Sequence, residues 1–495
     1  MKKLLFFILF PSLLFSQTQI GQDIDGEASE DRLNSISLSS NGNIIAIGAP
    51  YNDGNGTNSG QVRIYKNNNN VWEQVGNDID GKASGDFLGF SVSLNSDGNI
   101  VAIGSPYSNG NGTTSGQVRI YRNNNNIWEQ IGNDINGEIS ADRLGESVSL
   151  SSDGNVVAIG APGNDENGIS SGQVRIYRNN NNIWEQIGNN INGEAITDFS
   201  GRAVSLSSNG NIVAIGANSN SENGSSSGHV RVYKNVNGVW EQIGSDIDGK
   251  EQSAFLGTSV SLSSDGNIIA IGAPYQQNIS SKFGYVSIYR NNNNAWEQIG
   301  SDINGEASAN EFGKSISLSS DGNILAIGAP YDNNNNGTVA GQVKIYKNNN
   351  NVWEQIGSNI NGEKGYFNSG TSISLSSNGS IVGIGAPGNY TRFGNNYQNG
   401  DDLSQARVYN LSNVLSSDNY VLFKFNIYPI PIKDIITIEL KDNLIVKNIS
   451  IYNTLGKNIM SSKKLVFKTS NLSKGIYFIK IETNKGKAVK KIIIN

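Results

Sequence analysis

The chain has 495 residues, 58 of them Gly and only 9 Pro, with 36% hydrophobic residues and a net charge of −6. Modest apolar content with abundant Gly, Asn and Ser favours many short strands and tight turns over one large core. The absence of Cys excludes disulfides and thiolate metal sites, and the single His, His229, excludes His-rich metal sites and most histidine acid–base schemes.

Lys2 and Lys3 precede an apolar stretch over residues 4–15, interrupted only by Pro11 and Ser12, and Ser16 supplies a small residue before a cut that would leave Gln17 first. Residues 1–16 therefore read as a signal peptide, too short in its apolar part to span a bilayer. No Cys follows to carry a lipid anchor, and no later stretch reads as a transmembrane span.

From there the chain repeats. Gly-Ala-Pro, or a close variant, recurs at Gly48, Gly104, Gly160, Gly216, Gly272, Gly328 and Gly385, spaced by 56 residues five times and then by 57. Trp72, Trp128, Trp184, Trp240, Trp296 and Trp353 keep the same spacing. Taken from Trp128, one unit begins with a short strand at 128–132 and continues through a polar loop over 133–145. An alternating strand at 147–150 comes next, then an Asp-Gly hairpin turn at 152–155 in which both central residues are expected at positive φ. A buried strand at 156–160, a second loop over 161–171 and a strand at 173–177 complete it, before an Asn-rich turn leads to the next Trp.

Four antiparallel strands per unit, seven times over, predict an all-β fold: a seven-bladed β-propeller of four-stranded blades over 17–410. The ends choose a ring over an open solenoid. Residues 17–27 align with 128–138, the fourth strand of a unit, whereas the last unit has its first three strands and no Trp strand. The N-terminal strand is thus expected to complete the blade of 372–410, which removes both unpaired edges.

Leu88-Gly89, Leu144-Gly145 and Phe312-Gly313 open the alternating strand, the buried strand ends in Gly-Ala-Pro, and a Gly-x-Val-x-Ile-Tyr strand follows. In these features the repeat resembles the FG-GAP family of integrin-α-like propellers. That family often carries an Asp-rich calcium loop after the opening strand. Here the turn is only Ser-Ser-Asp/Asn-Gly-Asn, as at 151–155, which offers too few oxygens for Ca²⁺.

After a linker over 411–423 the composition changes: residues 424–495 hold fourteen Lys and no Arg, and the propeller region is left acidic. An acidic propeller is not expected to bind nucleic acid. Tyr428, Pro429 and Pro431 open this segment, Gly456 and Lys457 close a strand and turn, and Gly475 and Tyr477 mark a late hairpin. The order and spacing resemble the C-terminal sorting domain of type IX secretion. The resemblance implies a small Ig-like β-sandwich, the type IX secretion machinery as partner, and a product secreted or attached to the outer-membrane surface. An ordinary Ig-like accessory module is the other reading.

Candidate sites are few. His229 occupies a place held by Gln61, Gln117, Gln173 and Gln342 in other units and by Tyr285 in another, so it reads as a strand position, not a catalytic base. No Gly-x-Ser-x-Gly elbow with His and Asp partners is evident. Asp23-Ile-Asp25-Gly invites a metal reading, but its counterparts include Asn190 and Asn192, and the residue after Gly alternates between Glu27 and Lys82 or Lys250, which favours a solvated turn. The six Trp read as packing between blades before sugar-stacking platforms. No metal and no cofactor are expected.

The two long loops of each unit emerge on one face and vary most, so ligand binding is expected there. In unit seven the loop over 388–402 offers Tyr390, Arg392, Phe393, Tyr397, Asp401 and Asp402; it serves a ligand or covers the closure seam. The expected function is a non-enzymatic extracellular binding or adhesion protein. Glycan capture is the alternative, favoured if Tyr or Trp cluster on the long-loop face. A hydrolase or lyase working through Asp401 and Asp402 stands third.

Overall fold

The computed structural model describes residues 17–494 apart from 29, 275–282, 308–309, 389–403, 416–424, 430, 433, 441–443, 455 and 484–485. Thr18–Asn410 forms one compact unit and Leu411–Asn495 belongs to another.

Among the described residues, Thr18–Asn410 holds seven antiparallel sheets, numbered here as blades one to seven by the order of their inner strands. Blade three runs outward through Ser147–Leu150, Val156–Ala161 and Gln173–Asn180 to an outer edge made of Ile183–Gln186 and Ile191–Asn192. That outer edge corrects the sequence reading, which placed the second piece in a loop. Gly188 at φ +72° turns the chain away from the sheet, and buried Ile191 brings it back against Val174. In blade six the outer strand is continuous, Val352–Asn361, with a register shift between Val343 and Ile345.

The turns follow from residue chemistry. Asn181 and Asn182 both adopt positive φ, 52° and 66°, and close a two-residue hairpin. In the Asp-Gly turn only Gly154 is left-handed, contrary to expectation. Asp153 works through its side chain instead: Oδ1 accepts a hydrogen bond from Ser151 Oγ at 2.6 Å and from Asn155 N at 3.0 Å.

The inner strands close a ring. Each Ser-x-Ser-Leu strand, or its Ala variant in blade four, presents a Ser Oγ to the next blade, where it accepts a hydrogen bond from the backbone N of the equivalent Leu. Ser149 accepts from Leu206, Ser205 from Leu262, Ser317 from Leu375, and Ser374 from Leu38, each at 2.9–3.0 Å. A second ring runs through backbone alone: Ser152 N donates to Ser208 O, Ser320 N to Ser377 O, and Ser377 N to Ser40 O, each at 2.8 Å. Thr18–Gln19 and Ile24–Asp25 pair with Gln405–Asn410, so the N-terminal strand supplies the outer edge of blade seven.

Between blades the core is apolar and thin. Val156, Ala158, Val174 and Ile176 of blade three pack against Leu206, Val213, Ile215 and Tyr233 of blade four, with Trp240 at the margin. Trp240 Nε1 donates to Ile187 O at 2.8 Å, and Trp72, Trp128, Trp184 and Trp296 repeat that bond one blade apart. The Gly of Gly-Ala-Pro marks where backbones meet: a Cβ on Gly160 would lie 2.0 Å from Gly201 O.

An ion pair joins most neighbouring blades. Arg63 lies 3.6 Å from Glu27, Arg175 3.4 Å from Glu138, Arg231 3.1 Å from Glu194, Lys344 2.7 Å from Glu306 and Arg407 3.3 Å from Glu363. The residue after Asp/Asn-Gly is therefore an inter-blade clasp as well as a solvated turn position, since each of these Glu stays exposed. Where it is Lys, the pairing moves on: Lys82 reaches Asp134 at 2.6 Å and Lys250 reaches Asp302 at 2.7 Å. Blade five then carries Ser287 in place of the Arg, but blade two keeps Arg119, 2% exposed, with Nε and Nη2 lacking a hydrogen bond.

In the second unit a three-stranded and a four-stranded antiparallel sheet enclose one core, with Phe425, Ile436 and Ile438 from one sheet and Ile449, Ile451, Ile479, Ile481 and Ile492 from the other. Ile432 N donates to Ile493 O at 2.8 Å, tying the start of the domain to its last strand, Gly486–Ile494.

Three outcomes follow from these contacts. Thr18 and Asn410 are register partners in a chain without Cys, so Thr18→Cys with Asn410→Cys should form one disulfide. Closing so long a loop should add roughly 4 kcal/mol; the check is faster migration on a non-reducing gel and a raised unfolding midpoint that reductant abolishes. Lys82→Glu gives Arg119 the carboxylate its counterparts have; combined with Asp134→Asn, as at Asn190, so that the lost Lys82–Asp134 pair leaves no facing carboxylates, it should raise stability by roughly 1 kcal/mol over Asp134→Asn alone; an unchanged or lower urea midpoint would contradict the clasp. The third outcome concerns pH. Burial pushes the carboxyls of Asp153, Asp265 and Asp321 up, but hydrogen bonds from the Ser and Asn of each turn outweigh it and hold all three below their ordinary value. Such groups stabilise the fold fully above about pH 4 and lose that contribution as pH falls through the lowered folded value. Replacing all three by Asn, the residue at Asn41, Asn209 and Asn378, should flatten the fall in melting temperature between about pH 4 and pH 2.

Candidate binding face

Where they are described, the long loops leave the sheets on one face, at the ends of the strands that finish in Gly-Ala-Pro or its variants. The last loop residues before each inner strand form the mouth of the central channel. There the repeat breaks down: the equivalent positions hold Asn34, Phe90, Glu146, Arg202, Thr258, Lys314 and Thr371, which together line a cavity of about 250 Å³. Six residue types over seven otherwise matched positions are what a surface shaped for a particular ligand requires, and what packing alone does not.

Backbone strain marks the same rim. Phe87, Arg143, Phe199, Phe255, Glu311 and Asn368, three residues before their rim positions, and Arg32, two before Asn34, all adopt left-handed φ between 50° and 56°. Asn tolerates that region, but a Phe there is an outlier held by its surroundings. The restraint is a hydrogen bond to the neighbouring loop: Phe87 N donates to Asn58 O at 3.0 Å and Phe199 N to Ser170 O at 3.1 Å.

On blades one to three this geometry assembles an aromatic row. Tyr51 and Phe87 meet edge to face with centroids 5.2 Å apart, Phe87 and Tyr107 are 5.1 Å apart, and Phe90 adds a third contact to Tyr107 at 6.0 Å. Arg32 caps one end, 4.3 Å over the Tyr51 ring, and Arg143 the other, 5.9 Å from the Tyr107 centroid. All four rings are half-buried, with part of each left to solvent. From Arg143 the row continues as charge: buried Glu146 lies 4.0 Å from Arg143 and contacts Arg202 of blade four. On the opposite side of the mouth Lys314 lies 3.3 Å from Glu311.

The larger cavity, about 750 Å³, is on the tight-turn face beside Arg122, Asp153, Arg178 and Asn209. Its walls are turn residues of the repeat together with the strand residues Arg122, Val156, Arg178 and Asn179.

Tyr390, Arg392, Phe393, Tyr397, Asp401 and Asp402 lie outside the described residues. His229 is the first residue of the strand His229–Val236, as its alignment with the Gln positions implied. Burial, reinforced by Arg231 and opposed by Asp246 and Asp198, pushes its imidazole down to about 4, so the ring is neutral at physiological pH. The aromatic row is what sequence reasoning missed. Tyr51 and Tyr107 directly follow Gly-Ala-Pro and Gly-Ser-Pro, and comparison of the units position by position would have shown the rim to be their least alike segment.

In the second unit, Tyr428, Pro429 and Pro431 are exposed on the strand Phe425–Tyr428 and just after it. Gly456, at φ +79°, and Lys457 form a turn in which Lys457 N donates to Asn453 Oδ1 at 2.9 Å. Gly475 opens the hairpin strand Gly475–Thr483, and Tyr477 is buried with its hydroxyl donating to Ser473 O at 2.9 Å.

Comparison with solved structures returns the hydrazine synthase of Kuenenia stuttgartiensis (TM-score 0.49, 11% identity, covering 74% of this chain and 95% of that one). It also returns the periplasmic gluconolactonase of Pseudomonas aeruginosa (TM-score 0.46, 14% identity, 67% and 86%). No curated protein matches the chain. Among the described residues no helix is long and apolar enough to cross a membrane. The sequence of 426–495 matches the secretion system C-terminal sorting domain family, and this part of the chain is accordingly a sorting domain that marks it for export to the cell surface or beyond.

Proposed function

We propose that this chain is an exported, non-catalytic binding protein that holds a carbohydrate ligand on the long-loop face of an FG-GAP-type propeller. The observation that carries the reading is the row Arg32–Tyr51–Phe87–Tyr107–Arg143. Half-exposed aromatic rings offer apolar faces to the C–H surfaces of sugar rings, and Arg guanidinium groups at both ends suit hydroxyl or carboxylate substituents. The positive start and apolar stretch of residues 1–16 support passage across the inner membrane, and the sorting domain supports engagement of a type IX machinery. The rim carboxylates Glu146 and Glu311 sit on different blades, each beside a basic side chain, an arrangement that favours binding over paired-carboxylate hydrolysis. The repeat's likeness to integrin-α propellers, where loops over a rigid ring meet ligands, supports adhesion as the use of such binding.

The test is affinity electrophoresis and pull-down of the full chain against a panel of neutral and uronate-bearing polysaccharides. Tyr107→Ala and Phe87→Ala should each weaken binding about tenfold, while Arg178→Ala, on the tight-turn face, should bind like the parent. Retention of full affinity by both aromatic variants would place the ligand elsewhere.

A further inference from the structure

His229 has a second peculiarity besides being the only His. In five of the seven blades the same place is Gln, and the Gln amide donates to a neighbouring oxygen: Gln61 to Asp78 at 3.2 Å, Gln117 to Asn136 at 2.8 Å, Gln173 to Glu166 at 2.6 Å, Gln342 to Asp332 at 3.0 Å and Gln405 to Asp23 at 3.3 Å. His229 is 1% exposed, and neither ring nitrogen makes a hydrogen bond. A buried polar group without partners is costly, so an unpartnered imidazole among carboxylates calls for an explanation.

The carboxylates are already turned toward it. Asp246 Oδ1 accepts from Gln242 Nε2 at 2.6 Å, which leaves Oδ2 facing His229 Nδ1 at 3.4 Å. Glu194 Oε1 is held by Arg231 at 3.1 Å, which leaves Oε2 at 3.9 Å from the same nitrogen. Glu222 adds a third carboxylate, and one ligand atom from each of the four residues lies within 4.8 Å of every other. Each of the two nearer carboxylates thus has one oxygen spent on orientation and one free for coordination, the arrangement metal sites use to fix their ligands. The exposed Glu194 and Glu222 have the rotamer freedom to close the remaining distance. The full set is peculiar to blade four: blade three has Glu138, Glu166, Gln173 and Asn190, and blade two has Lys82, Gly110, Gln117 and Asp134.

We propose that Glu194, Glu222, His229 and Asp246 bind a divalent cation of the zinc class. One imidazole with three carboxylates supplies the four nitrogen and oxygen ligands of a tetrahedral zinc site, and the imidazole disfavours the hard cations Ca²⁺ and Mg²⁺. Glu194 follows the outer strand of blade three and the other three ligands belong to blade four, so the bound ion would pin two blades together beside the Arg231 clasp.

The chain offers an unambiguous probe, because a single His gives a single pair of ring nitrogen resonances. The untagged full chain, labelled with ¹⁵N and stripped by chelator, is titrated with Zn²⁺ while the ring resonances and the melting temperature are followed. One ring nitrogen should shift on saturation and the melting temperature should rise by several degrees. His229→Gln, the residue five other blades carry, should fold with its metal-free melting temperature little changed and bind Zn²⁺ at least about tenfold more weakly. Asp246→Asn, as at Asn190, should weaken it similarly. Ring resonances that ignore Zn²⁺, undiminished binding by both variants, or a response to Ca²⁺ that His229→Gln leaves intact would each overturn the proposal.

Discussion

The propeller depends on one repeated contact: a Ser hydroxyl on each inner strand accepting the backbone N–H of a Leu on the next. Inner strands at the hub of a ring are short, only four residues in blade three, and face the channel on one side. They have too little apolar surface to hold the hub by burial alone, and their outward N–H groups have no further strand to pair with. A Ser is small enough to lie between two backbones and polar enough to satisfy the orphan donor. Because Ser374 meets Leu38, the series has no first or last member, and every blade's hub is satisfied by a neighbour.

Around that hub, the structure separates what is held constant from what is free to change. The inter-blade Trp bonds, the Gly at backbone crossings and the Asp or Asn turn caps carry the ring. The clasps show how a change is absorbed: a Glu replaced by Lys250 is matched by Ser287 in the next blade, so no buried cation is left behind, whereas Lys82 leaves Arg119 without its carboxylate. The rim residues carry no such duty and differ between most blades, only Thr258 and Thr371 being alike. Those positions can therefore change without disturbing the hub, which is the ordinary division of labour between a rigid scaffold and its loops.

Much of this was legible in the sequence. The period, the Trp register and the complementary ends suffice for the all-β propeller, because each records a contact that recurs in every blade. Periodic reading fails where a residue's meaning lies across the blade boundary. Glu27 and Glu138 look like solvated turn residues and nothing more until Arg63 and Arg175 are found beside them. Asp153 looks like a residue chosen for positive φ, but it serves as an acceptor. The aromatic row escaped because averaging over repeats suppresses the positions at which repeats differ. His229 looked interchangeable with Gln for the same reason, since Glu194, Glu222 and Asp246 are near it only once blades three and four are side by side.

Blade seven has a consequence for biosynthesis. Its outer edge is made of the earliest residues of the ring and its remaining strands of the latest, so the ring cannot shut until residues 405–410 have left the ribosome. Only after them in chain order comes the sorting domain. A chain cut short anywhere within the ring lacks both the last blade and the export signal. A chain that carries the sorting domain therefore also carries every strand needed to close the ring.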